Sequence, residues 1–97
     1  MSVMITLELP TKSESMAELL EVMKSALVDT RSYAGCQKVE TFIDQESQNV
    51  FLVEQWDSAE HQQAYMGWRV ETGFMDAVGP LLDGAPVARV FDIKSDI

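Results

Sequence analysis

The chain has 97 residues, a formal charge of −9 and 46% apolar residues. That is the size of one small domain with a single core, and its composition is that of an ordered globular protein. The negative charge, with Lys and Arg scattered singly, argues against nucleic acid and anionic membrane surfaces as partners. Cys36 stands alone, so no internal disulfide is possible and a reducing, cytoplasmic setting is expected.

The first ten residues, MSVMITLELP, read as a strand and not as a targeting segment, because Val3, Ile5, Leu7 and Leu9 alternate with Met4, Thr6 and Glu8 before Pro10. No apolar run approaches the roughly 20 residues of a membrane helix. TKSE follows, with Thr11 as N-cap and Glu14 completing a capping box for a first helix. Met16, Leu19, Leu20, Met23 and Leu27 recur at helical spacing, and Gly35 is placed to take a left-handed conformation near the exit. CQKVETFID and NVFLVEQW flank the polar turn QESQ and predict an antiparallel hairpin. DSAE, Asp57 to Glu60, signals a second cap, opening a helical segment that breaks around Gly73 and runs to about Leu82. DGAP then turns into VARVFDIK, a last strand. The order β-α-β-β-α-β is the ferredoxin-like α+β arrangement, in one domain spanning residues 1–97.

In that fold both helices cover one face of the sheet. Yet VFLV, Val50 to Val53, is apolar on both faces, and Met4, Phe42 and Phe91 lie opposite Val3, Ile43 and Val90. A homodimer through the sheet face would cover this second apolar surface; aromatics folding over strand edges would be the alternative.

The segment EQWDSAEHQQAYMGWR gathers both tryptophans, the only histidine and one of two tyrosines. On a helix begun near Ser58, His61, Tyr65 and Trp68 fall on one stripe, which aromatic burial turns towards the sheet, with Gln62, Gln63 and Arg69 more towards water. Trp56 ends the preceding strand beside them. These side chains could simply be the core of the second helix, with His61 at its margin. A phenol, an imidazole and two indoles each require a hydrogen-bond partner when buried, however, and such polar-tipped aromatics suit a pocket for a flat, polar-rimmed aromatic molecule. His61 is the one side chain whose ordinary pKa lies near neutrality, which makes it the candidate base. Tyr65 and Trp56 complete the candidate catalytic set, and Trp68, Glu54 and Phe42 the candidate substrate-binding set. One His and one Cys far apart give no zinc-type spacing, and no Gly-rich loop leads into a helix. A serine nucleophile, Ser47 or Ser58, has no sign of an oxyanion hole to serve it.

GCQKVETFIDQESQNVFLVEQWDSAEHQQAYMGWR resembles the antibiotic biosynthesis monooxygenase domain family, which includes small quinol monooxygenases. The likeness rests on the Gly-Cys opening of strand two, Glu-x-Trp-x-Ser at the junction with helix two, and the aromatic helix after it. It implies a dimeric α+β barrel and, in an active member, oxidation of a phenolic or quinol-type substrate by dioxygen with no cofactor. Trp56 matches the family's junction tryptophan. Where many members carry a histidine nine residues later this chain has Tyr65, and where active members place an asparagine four residues before the tryptophan it has Leu52. The heme-degrading branch requires a histidine as iron ligand on that helix and an asparagine in strand one, and Tyr65 and the run Val3 to Leu9 offer neither. A non-catalytic binding or assembly module, and an isomerase or cyclase on the same scaffold, are the other readings the fold admits.

Overall fold

The computed structural model describes residues 2–97. Among these, the chain runs through β1 (Val3–Leu9), α1 (Met16–Ser32), β2 (Cys36–Ile43), β3 (Val50–Trp56), α2 (Ala59–Glu71), α3 (Phe74–Val78) and β4 (Val87–Asp92), with short 3-10 turns at Ser13–Ser15 and Gly79–Leu81. The four strands form one antiparallel sheet in the order β2-β3-β1-β4, the expected ferredoxin-like topology.

Strand alternation sorts the side chains of the two central strands. On β1, Val3, Ile5 and Leu9 are buried, and on β3, Val50, Leu52, Glu54 and Trp56 are buried while the residues between them are half-exposed. The pairs Ile5↔Glu54 and Val39↔Glu54 place one carboxyl at the middle of the helix-covered face. Against this face the buried residues fall into two groups. An aliphatic one joins Leu19, Met23 and Leu27 of α1 to Leu9, Val39, Val50, Leu52, Val78, Leu81 and Leu82. An aromatic one joins Trp56 and Tyr65 to Val3 and Ile5, with Tyr33, Cys36, Met66 and Trp68 packed around them. The other face carries Met4, Phe42, Phe51, Val53, Val87 and Phe91 by strand register, with Phe42, Val87 and Phe91 exposed in the single chain.

Both predicted capping boxes are corrected. Thr11 does not cap α1: its hydroxyl donates to the Leu9 carbonyl at 2.7 Å and accepts the Val50 N–H at 3.4 Å, and the residue bridges to Leu82. Thr11 is thus held by strand-like pairing, and α1 begins at Met16 after a 3-10 turn. At the second helix the cap is Ser58, not Asp57. Ser58 Oγ accepts the His61 N–H at 3.2 Å and lies 2.7 Å from His61 Nδ1, so the imidazole folds back over the cap. Gly73 (φ 75°) separates α2 from α3, as the predicted break requires.

Gly35 (φ 91°) explains the tight entry to β2. Its carbonyl accepts the Asp57 N–H at 2.8 Å, bringing the backbone against the start of α2, where a Cβ would come within 2.5 Å of the His61 ring. Gly35→Ala therefore combines an unfavourable backbone conformation with a clash, and should cost about 1–3 kcal/mol of stability in denaturant unfolding. Adding His61→Ala should recover part of that loss; an unchanged penalty in the double variant would show that only the backbone conformation matters.

Candidate functional site

At the seam between the aliphatic and aromatic groups the helices and sheet do not close completely. They leave a cavity of ≈ 70 Å³ whose walls are almost wholly apolar, including Leu7, Leu52, Phe74 and the methionines 23, 66 and 75. Three polar side chains reach it: Glu54 from β3, and Tyr65 and Arg69 from α2. Tyr65 and Arg69 are one helical turn apart and so share a face.

Glu54 is 4% exposed. Its Oε1 accepts the Trp56 indole N–H at 2.8 Å, a contact possible because residues two apart on a strand share a face. Oε2 has no protein partner among the described residues and is not sealed from solvent, and Glu54 is one of the residues that line the cavity. Burial pushes the carboxyl pKa up from its ordinary 4.5, opposed by the weaker effect of the Trp56 hydrogen bond.

Arg69 is 6% exposed, which overturns the expectation that it points towards water. Nε donates to Tyr65 Oη at 2.8 Å, and Nη2 donates to the Ala26 carbonyl at 2.7 Å and to Thr30 Oγ1 at 3.2 Å. Its guanidinium carbon lies 4.6–5.2 Å from the ring centroids of Phe74, Trp68 and Tyr65, so aromatic faces replace much of its lost hydration. Tyr65 Oη and Thr30 Oγ1 are 2.5 Å apart. Since the Thr30 hydroxyl points to the Ala26 carbonyl, the phenol proton is spent on Thr30 and the phenol oxygen receives Arg69.

Of the residues singled out from sequence, the structure brings Glu54 and Tyr65 to the cavity. Trp56 is fully buried behind Glu54, its ring 5.2 Å from that of Tyr65. Trp68 is half-buried and stacks near Tyr33 and Arg69, outside the cavity wall. His61 is exposed at the outer end of α2, which corrects the idea of a stripe facing the sheet throughout: the ring is held over Ser58 and Gly35. Phe42 is 48% exposed on the opposite sheet face, beside Phe51 and Val53. Two residues were missed. Arg69 was betrayed by its four-residue step from Tyr65, and Tyr33, which meets Trp56, Tyr65 and Trp68, only by being aromatic beside Gly35. Among the described residues no three His, Cys, Asp or Glu side chains converge as a metal set would, and no helix is long and apolar enough to cross a membrane.

This geometry defines an α+β protein of ferredoxin-like topology with a small, apolar, acid- and arginine-bearing cavity between its layers. The family model for antibiotic biosynthesis monooxygenase matches residues 2–78, and the chain belongs to that family. Among solved structures it is similar to Rv0793 from Mycobacterium tuberculosis (TM-score 0.84, 16% identity, 96% of this chain and 95% of that one). It is also similar to a "putative antibiotic biosynthesis monooxygenase" from Nitrosomonas europaea (0.87, 8%, 97% and 91%) and to another so described from Caulobacter crescentus (0.83, 20%, 95% and 89%). At these identities the likeness is one of fold. Comparison with curated proteins finds no match.

The raised pKa of Glu54 has a thermodynamic sign. The folded chain holds this proton more tightly than the unfolded one, so the group's contribution to stability is greatest at acid pH. It is lost as pH rises from 4.5 through the raised folded value. Denaturant unfolding across this range should show the wild type losing stability relative to Glu54→Gln as pH increases, and Trp56→Phe should move the Glu54 midpoint further up. Parallel pH profiles for wild type and Glu54→Gln would contradict the burial argument.

Proposed function

We propose that the protein is a monooxygenase that oxidises a phenolic or quinol-type aromatic substrate with dioxygen in this cavity, without a cofactor. Family membership supports the reaction class, and the observation that carries the reading is the buried Glu54 carboxyl, one oxygen of which has no protein partner, at the wall of an apolar cavity. A carboxyl whose pKa is moved up towards neutrality is a better match to a phenol proton than an ordinary surface carboxylate. Glu54 Oε2 takes the phenol proton. The phenolate gives one electron to dioxygen, the resulting radical pair combines at a ring carbon, and the peroxide takes the proton back from Glu54. Loss of water, with departure of the ring proton, leaves a quinone; phenol and dioxygen thus become quinone and water. Trp56 orients the carboxyl, Tyr65 forms the aromatic wall, and the apolar lining keeps water from competing for the anion.

The cavity at rest is smaller than the ~150 Å³ that accepts a benzene ring in an engineered core. Entry of a ring therefore moves the methionines, whose unbranched thioethers adapt to irregular shapes. A single-ring substrate suits this space better than a fused polycyclic one. A cytoplasmic location fits the one unpaired cysteine.

Purified protein, assayed in an oxygen electrode with chelator present, should consume oxygen with a panel of hydroquinones and alkylphenols. Glu54→Gln should lower kcat about 10²-fold or more, as loss of a general base does. His61→Ala should leave turnover per folded molecule unchanged, since its ring lies outside the cavity. A rate that depends on His61 and not on Glu54 would transfer the base to the histidine. Saturable binding of such ligands without oxygen uptake would make the protein a small-molecule-binding module.

The second apolar sheet face supports a homodimer as the assembled form. Met4, Phe42, Phe51, Val53, Val87 and Phe91 lie on it. An obligate interface of this kind buries on the order of 2,000 Å² or more. Sedimentation at micromolar concentration should give twice the chain mass, and Phe91→Glu should shift the protein towards monomer. A wild-type monomer at that concentration would rule out the dimer.

A further inference from the structure

Arg69 is a buried cation with no anion beside it. Among the described residues its guanidinium has no carboxylate within 4.0 Å, although Glu54 lines the same cavity. Three of its five N–H groups are used, one on Tyr65, one on Ala26 and one on Thr30, and all through Nε and Nη2. Nη1 makes no protein hydrogen bond, and it is not among atoms sealed from solvent, because no such unpaired atom exists among the described residues. The other groups around the guanidinium are uncharged: the rings of Tyr65, Trp68 and Phe74, the Thr30 hydroxyl and the α1 carbonyl.

A guanidinium fixed on one side and free on the other is preorganised to take a planar acidic group, since the rotamer has been set before the ligand arrives. A structural clamp between α1 and α2 would need only the Ala26 and Thr30 contacts; it leaves unused a second nitrogen, unpartnered and not sealed from solvent, on a residue that lines the cavity. The chain's charge of −9 repels anions at long range, so an anionic ligand would depend on a local cation of this kind.

We propose that the cavity is selective for acidic aromatics, with a ring carboxylate or equivalent anionic oxygen docking on Arg69 Nη1 while a ring hydroxyl on the other side meets Glu54. This assigns Arg69 as a specificity-determining binding residue and narrows the substrate class to hydroxylated aromatic acids of about one ring. It rests on the proposed cavity chemistry for the hydroxyl contact, but the selectivity itself is a matter of binding and needs no turnover.

The test is anaerobic equilibrium binding, by calorimetry, of four ligands: 4-hydroxybenzoate, its methyl ester, benzoate and phenol. The acid should bind about 10-fold or more tightly than the ester, the lower end for a charge-assisted hydrogen bond out of water. Benzoate should bind more tightly than phenol. Arg69→Gln should abolish the preference of acid over ester, read as the ratio of the two affinities within the same variant, and Arg69→Lys should retain part of it through charge alone. Thermal unfolding of each variant identifies any that do not fold, and the wild-type comparison of acid with ester stands without them. Equal affinity for acid and ester in the wild type, or a preference that survives Arg69→Gln, would overturn the proposal. Arg69-dependent binding of the acid with no oxygen uptake would keep this inference and remove the monooxygenase reading; oxygen uptake with neutral phenols and no preference for the acid would do the reverse.

Discussion

The interior of this protein is organised around a carboxyl on the wrong face of a strand. Glu54 occupies the helix-covered side of β3 between Leu52 and Trp56, where alternation demands an apolar residue. A buried carboxyl is tolerable only with hydrogen bonds and space around it. Trp56 supplies the first, from the same strand face. The space is the seam where aliphatic packing stops and aromatic packing begins, and both groups of core residues contribute to its wall.

The matching constraint comes from α2. Arg69 reaches into the same layer, and its bonds to Ala26 and Thr30 tie α2 to α1 across 43 and 39 residues of chain. The packing between the two helices is therefore partly polar, and a simple aliphatic repacking would have to replace the Arg69, Tyr65 and Thr30 groups together. Removing one alone strands the others, which is why such a network holds a single arrangement of the helices more strictly than grease would.

How far the sequence anticipates this depends on which physical signal each element carries. The four strands follow from two-residue alternation and from turns such as QESQ, and the structure places them at Val3–Leu9, Cys36–Ile43, Val50–Trp56 and Val87–Asp92. The caps were harder to read, because a threonine hydroxyl serves a strand end as well as a helix start, and Thr11 is claimed by Leu9 and Val50. Within the site, the burial of Trp56 and Tyr65 follows from their clustering. The burial of Arg69 does not, because helical position sorts residues by hydropathy, whereas a guanidinium stacked on three rings is solvated by them. His61 went the other way: it shares a helical face with Tyr65, but a residue in the first turn overhangs the sheet's end, and Ser58 and Gly35 hold the ring there.

The methionine wall bears on time as well as on shape. Met66 and Met75 lie on neighbouring helices joined at Gly73, so a ligand that enters by displacing them must wait for side chains and a short helix to yield. Association through such a wall would be gated by the protein's own fluctuations and fall below the encounter rate. For a ligand held there the same gate would close behind it, so a slow entrance would imply a slow exit and a longer residence without any added contact to the ligand.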